Sequence, residues 1–212
     1  MGFEDEKRLV GEAAAELVED GMAVGLGTGT TVDHFLTALA RRGPRIRCVA
    51  TSLRTENAAR ELGLPLEPFD ALERLDLAVD GADQVAPDGW LVKGGGAAHT
   101  REKVVAAASD RFVVIASSDK VVEAIAAPVP VEILAYGAAA TLARIGPAEL
   151  REVPPSPDGG LIADYLGPVE DPAGLAARLD ATPGVVEHGL FGPELVSAIL
   201  IGRGGEVERR SA

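Results

Sequence analysis

Met22-Ala23-Val24-Gly25-Leu26-Gly27-Thr28-Gly29-Thr30-Thr31 decides the fold class. The stretch begins as a short apolar strand, passes glycines at 25, 27 and 29, and runs into Phe35, Leu36, Leu39 and Ala40, whose spacing is helical. Upstream, Val10, Ala13, Ala14 and Leu17 mark another helix, with Gly21 as its stop. Downstream, strands are expected at 46–51, 75–79 and 112–116. Helices are expected over 54–62 and around 104–108. Strands alternating with helices specify an α/β domain on a largely parallel sheet.

After Ala127-Pro128-Val129-Pro130 the pattern changes. Short strand candidates at 131–133, 161–163 and 185–186 alternate with helices near 138–145 and 173–179. Pro154-Pro155-Ser156-Pro157-Asp158-Gly159-Gly160 is a turn-rich connection. The expected division is a first domain over 1–127 plus about 196–212, and a smaller α+β domain over 128–195. The apolar stretch 195–201 returns a strand to the first domain, and 204–212 reads as a frayed polar tail.

Composition narrows the function. The 212 residues carry 33 acidic and 20 basic side chains, a net charge of −13. Such a chain has no general field for a phosphodiester backbone, and with only 4% aromatics it has few platforms for base stacking. Nucleic acid is excluded as the expected partner. No run approaches the ~20 apolar residues of a membrane span. The charged start Gly2-Phe3-Glu4-Asp5-Glu6-Lys7 lacks an apolar signal core. The lone Cys48, in the apolar run Ile46-Arg47-Cys48-Val49-Ala50, reads as a small buried hydrophobe in a reducing compartment. A cytoplasmic protein is expected.

In an open parallel sheet, ligands bind beyond the carboxyl ends of the strands, and three unusual segments follow predicted strands there. In Gly25–Thr31, glycines allow close backbone approach, while helix-start amides and threonine hydroxyls donate to an anion. The plain alternative is a tight turn with a threonine N-cap. A dinucleotide fingerprint fails, because Thr30 stands where its last glycine belongs and the next strand ends Ala50-Thr51-Ser52 without an acid. A P-loop fails for want of Lys-Ser/Thr after the glycines. A cradle for a small phosphate remains.

Asp80-Gly81-Ala82-Asp83 can turn two carboxylates toward one pocket, or be an ordinary Asp-Gly turn. As metal ligands they lack a third group at motif spacing, and His34, His99 and His188 form no ligand pattern. In Lys93-Gly94-Gly95-Gly96-Ala97-Ala98-His99-Thr100-Arg101-Glu102-Lys103, three consecutive glycines cost backbone entropy and admit a ligand very near the main chain. Glu102 then falls in the first turn of a helix, where dipole complementarity alone would also favour an acid. Lys120, after the strand at 112–116, is either a further cation for the site or a solvated surface charge. Carboxylates beside a phosphate cradle repel phosphate, so they are better explained by hydroxyls to bind and a proton to move. A base beside a lysine suits proton removal next to a carbonyl, with the ammonium facing the enediolate oxygen. That chemistry is aldose–ketose isomerisation of a sugar phosphate.

These segments, with Pro183-Gly184-Val185-Val186-Glu187-His188-Gly189-Leu190-Phe191, resemble ribose-5-phosphate isomerase type A in order and spacing from Lys7 to about Ile201. The resemblance implies a Rossmann-like domain paired with a small ferredoxin-like one. It further implies interconversion of D-ribose 5-phosphate and D-ribulose 5-phosphate in the non-oxidative pentose phosphate pathway, without cofactor or metal, by a commonly dimeric, sometimes tetrameric enzyme. It gives Glu102 the role of general base. Asp80 and Asp83 become the carboxylates that aid ring opening and move hydroxyl protons. Lys93 and the Gly94, Gly95 and Gly96 amides stabilise the enediolate. Thr28, Gly29, Thr30, Thr31, Gly81, Ala82 and Lys120 match substrate-binding positions, and Lys7 approaches the phosphate. The departures are Gln84-Val85 for the usual Glu-Ile, His99 for an apolar residue, and the 156–160 turn. The alternatives are a sugar-phosphate-sensing domain without turnover, and another enzyme of the same broad fold such as a CoA-transferase.

Overall fold

A computed structural model describes residues 2–211. In chain order its elements are α1 (Phe3–Ala15), β1 (Ala23–Leu26), α2 (Thr30–Arg42), β2 (Arg47–Ala50), α3 (Leu53–Glu61), β3 (Leu77–Gly81), β4 (Gln84–Val85) and β5 (Leu91–Val92). There follow α4 (His99–Ala107), β6 (Phe112–Ser117), β7 (Val129–Ile133), α5 (Ala138–Ile145), β8 (Ala148–Leu150) and β9 (Leu161–Tyr165). The series closes with α6 (Pro172–Asp180), β10 (Val185–His188), β11 (Leu190–Phe191), β12 (Ala198–Arg203) and β13 (Glu206–Arg210).

The chain divides into two compact units, one of Met1–Ala82, Arg101–Val121 and Glu194–Ala212, the other of Asp83–Thr100 and Val122–Pro193. The expected division cut the chain once near 127 and returned near 196, and its outermost positions 1 and 212 lie outside the described residues. The observed units instead exchange the chain inside two motifs, between Ala82 and Asp83 and between Thr100 and Arg101.

In the first unit a sheet runs β13-β12-β6-β3-β1-β2, parallel from β12 to β2. β1 and β6 are buried throughout and β3 except at Gly81, and α1 and α2 cover the face that carries Val24, Leu26, Leu77, Val79, Val113 and Ile115 with Val10, Ala14, Phe35, Leu36 and Leu39. Full burial of each such large side chain is worth about 1.5–3 kcal/mol. The chain leaves β1 toward β2 on one side and reaches β3 on the other. The carboxyl ends of β1 and β3 therefore flank the topological switch point, where doubly wound sheets bind ligands. β2 holds Cys48 buried, as expected, and burial pushes its thiol up to about 12. The expected frayed tail is a correction. Gly204 and Gly205, both at positive φ, turn the chain so that β13 pairs antiparallel with β12.

The second unit carries β7-α5-β8-β9-α6-β10, a β-α-β-β-α-β series in an antiparallel sheet ordered β10-β7-β9-β8. Val129, Val131, Ile133, Ile145, Leu175 and Leu179 form its core. A smaller sheet ordered β11-β5-β4 belongs to the same unit. Among the described residues no helix is long and apolar enough to cross a membrane.

Candidate active site

The first unit holds the 25–31 loop and the first aspartate of the acidic pair. β1 gives way to Gly27, whose amide donates to the Val79 carbonyl at 2.9 Å. The Asp80 carboxylate lies directly against Gly27, and a Cβ there would fall inside it. Asp80 Oδ1 accepts from the Thr28 amide at 2.9 Å and from its own neighbour Gly81 at 2.7 Å. Asp80 is 2% exposed, so the loop and the acid fix each other in a place water barely reaches.

Thr28 departs from its expected use. Its hydroxyl sits 2.7 Å from Ser52 Oγ, 2.9 Å from Thr51 Oγ1 and 3.2 Å from Thr55 Oγ1. Thr55 Oγ1 in turn donates to the Gly27 carbonyl at 2.7 Å. Four hydroxyls thus fasten the loop to the start of α3, and the Thr28 side chain is spent on structure. The threonine N-cap reading is also corrected, since Gly29 at φ 132° caps α2 with no side-chain hydrogen bond. A helix start without a side-chain cap leaves first-turn amides to an incoming anion, beside Thr30 and Thr31.

Lys120 ends a short 3-10 turn, Ser118–Lys120, just after β6, and its ammonium lies 3.6 Å from Asp119 Oδ2. Sequence reasoning missed what holds this turn. Glu6, 5% exposed on α1, accepts from the Ser118 amide at 2.9 Å, the Ser118 hydroxyl at 2.7 Å and the Gly204 amide at 3.3 Å. The Ser118 amide is the main reason that its carboxyl is held below the usual glutamate range. Neighbouring Lys7 pairs with Glu4 at 2.6 Å. Glu102, 3% exposed, stands in the first turn of α4.

The second unit holds the other loop. Lys93, 2% exposed, follows β5, and Gly94 (φ 100°) starts a turn closed by the Ala97 amide on the Gly94 carbonyl at 3.0 Å. Asp83 is exposed and accepts from the Gly95 amide at 2.7 Å. A Cβ on Gly94 would sit 2.7 Å from Nδ1 of the fully buried His99, so histidine here demands the glycine it packs on. Thr100 donates its hydroxyl to Glu132, 1% exposed, whose other oxygen accepts from Ser156 Oγ at 2.5 Å. The divergent 156–160 turn therefore serves the start of α4. Gly160 lies so near Glu132 that a Cβ there would overlap its carboxylate.

Arg151 was also missed. Its guanidinium donates to the Gly94 and Gly95 carbonyls at 2.9 and 3.3 Å and forks onto Asp164 at 2.7 and 2.5 Å. No motif announces it, because an arginine after an edge strand is commonplace.

The reading that His188 belongs to no ligand pattern needs correction. Asp180, Glu187 and His188 bring candidate ligand atoms within 4.8 Å of one another. The hydrogen bonds explain the group without an ion. His188 Nδ1 accepts from the Leu190 amide at 3.2 Å, which leaves the proton on Nε2, 3.1 Å from Asp180 Oδ1.

Comparison with known proteins identifies the family. A family model described as ribose 5-phosphate isomerase A (phosphoriboisomerase A) matches residues 47–206. Ribose-5-phosphate isomerase A of Caulobacter vibrioides strain NA1000 / CB15N is 48% identical, over 95% of this chain and 96% of that one. The structure of ribose 5-phosphate isomerase A from Methanocaldococcus jannaschii superposes with a TM-score of 0.94 at 30% identity, covering all of both chains. A D-ribose-5-phosphate isomerase in complex with phospho-erythronic acid superposes at 0.93 with 31% identity, again over both whole chains.

Proposed function

The chain belongs to the ribose 5-phosphate isomerase A family and interconverts D-ribose 5-phosphate and D-ribulose 5-phosphate, and we propose that Glu102 is its base. In the opened aldose, the Glu102 carboxylate removes the proton from C2. The electron pair moves onto the C1 carbonyl oxygen, and the Lys93 ammonium with the Gly94–Gly96 amides takes up the resulting charge. A proton passes from the C2 hydroxyl to the C1 oxygen, aided by Asp80 and Asp83. Glu102 returns its proton to C1, leaving the ketone at C2. Gly29, Thr30 and Thr31 at the start of α2, Gly81 and Ala82 beside the aspartates, and Lys120 bind the substrate, with the helix amides and Lys120 on its phosphate, while Thr28 holds the loop that presents them.

The observation that carries this reading is the burial of Glu102 within a chain matched along nearly its whole length by isomerases. A structural relative bound to phospho-erythronic acid supports a phosphorylated sugar as substrate. Exchange of the C2 proton requires a base that water cannot readily replace, which suits a nearly buried carboxylate. The same reading places the enzyme in the cytoplasm as a homodimer, in the non-oxidative pentose phosphate pathway.

The test is Glu102→Gln, followed by NMR of ribose 5-phosphate in D₂O. Wild-type enzyme forms ketose and admits deuterium at C1 or C2. The variant retains its fold and substrate affinity but loses about 10²–10⁴-fold in turnover. Turnover near wild type would remove Glu102 as the base.

A further inference from the structure

The Pro183–Phe191 segment is among those that resemble the family, yet it contributes none of the residues assigned above. Its last residues form β11, which pairs antiparallel with β5 as Leu190 opposite Val92 and Phe191 opposite Leu91. Continuing that register by one residue sets Gly189 opposite Lys93, and the Lys93 amide donates to the Gly189 carbonyl at 2.8 Å. Lys93 and Phe191 are therefore diagonal neighbours on one face of the pair, a separation that a long side chain and an aromatic ring can bridge. Gly189 leaves the position directly opposite Lys93 empty of side chain. A Cβ there would collide with the Lys93 carbonyl oxygen. In this register the lysine ammonium lies over the Phe191 ring, 5.3 Å from its centroid.

Both partners are withdrawn from solvent, Lys93 at 2% exposure and Phe191 at none. Burial disfavours a charged ammonium, and an aromatic face offsets part of that cost through its quadrupole. The attraction is directional, so it also limits where a flexible four-carbon stem can carry its charge.

We propose that Phe191 is a positioning residue, whose ring face holds the Lys93 ammonium in place for the enediolate oxygen. Gly189 lets the two strands approach closely enough to set this register, because a Cβ there would strike the Lys93 carbonyl. The inference rests on the assignment of Lys93 above, and the experiment separates the two.

Phe191 is replaced by its 4-fluoro, 3,4-difluoro and 3,4,5-trifluoro analogues, which keep its shape while draining the ring face of electron density. Each is assayed on ribose 5-phosphate for kcat and KM, with melting temperature as the check on folding. The expected result is a stepwise fall in kcat, reaching roughly ten- to thirty-fold at the trifluoro ring, with KM within about twofold. Phe191→Tyr keeps an electron-rich ring and is expected within a few-fold of wild type. The same series in a Lys93→Gln background is expected to be flat, because the group that senses the ring is gone. Equal kcat across the series in folded enzyme overturns the proposal, as does a fall that persists without Lys93. Undiminished turnover of Lys93→Gln itself would instead overturn the assignment of Lys93. Should the trifluoro variant not fold, the slope from the first two analogues decides.

Discussion

Each unit pairs a glycine loop at a strand end with an aspartate that takes an amide hydrogen from it. In the first unit the acid is Asp80, nearly buried, pressed on Gly27 and bonded to the Thr28 amide. In the second it is Asp83, exposed, bonded to the Gly95 amide. Their supports differ more than the loops do. The 25–31 loop is fastened by hydroxyls of Thr51, Ser52 and Thr55 at the next strand end and helix start. The 93–97 loop depends on Arg151 and Asp164, with Gly189 at the strand before it, all distant in sequence. A short-range brace can be read from neighbouring residues. A long-range one becomes visible only when the chain has folded.

The largest expected contrast lies between two glycines. Gly27→Ala would drive a methyl into a buried carboxylate hemmed in on both sides. Loss of at least ~10²-fold in kcat/KM is expected, with about 1–3 kcal/mol of stability from overpacking. At Gly95 the added carbon meets Asp83 Oδ1 at 2.8 Å, but that side chain is exposed and can swing aside. Gly95→Ala should then cost less than ~10-fold, and equal losses in parallel kinetics would erase the distinction between a locked acid and a yielding one.

Next in size is Arg151→Met, which frees two glycine carbonyls and leaves Asp164 without its fork. A fall of roughly tenfold in kcat is expected, since a small misplacement of donors is felt in the rate. Unchanged kcat alongside a lowered melting temperature would reduce Arg151 to a structural brace.

The smallest effect tests a distant support in the first unit. Glu6 has its carboxyl depressed from 4.5 by its hydrogen bonds, so the folded state holds it charged where the unfolded chain binds a proton. Its contribution is complete above about 4.5 and fades as pH falls through the lower folded value. Glu6→Gln should be less stable by about 1–2 kcal/mol at pH 7, with the gap narrowing as the solution is acidified in denaturant titrations. A gap independent of pH would mean that packing, and not charge, makes Glu6 matter.

The same contrast explains what the sequence disclosed. The parallel sheet was legible because β1, β3 and β6 are continuous apolar runs bounded by glycine or acid. α5 was legible to the residue, since Ala138 to Ile145 sits between Gly137 and Gly146. β4, β5 and β11 are two residues each, too short for any period to register. β13 was mistaken for a tail because Glu206 to Arg210 is mostly charged, although the Gly204-Gly205 pair before it is a hairpin signal. Asp80, Lys93 and Glu102 drew notice by residue type, and each is nearly buried in its own unit. The Thr28 hydroxyl was misassigned because a threonine in a glycine loop looks the same whether it faces a ligand or a neighbouring serine.

β12 enters the sheet beside β6, on the far side of an intervening stretch that builds most of another unit. At 5–20 residues per second, a nascent chain would display β6 on the order of ten seconds before its neighbour emerged. During that wait an apolar strand offers an unpaired edge to any passing chain, and the first helix lacks the part of its resting surface that β12 and β13 supply. Crowded expression should therefore punish this protein through aggregation of half-made chains, and fewer chains made at once or a supplied holdase should raise the soluble yield.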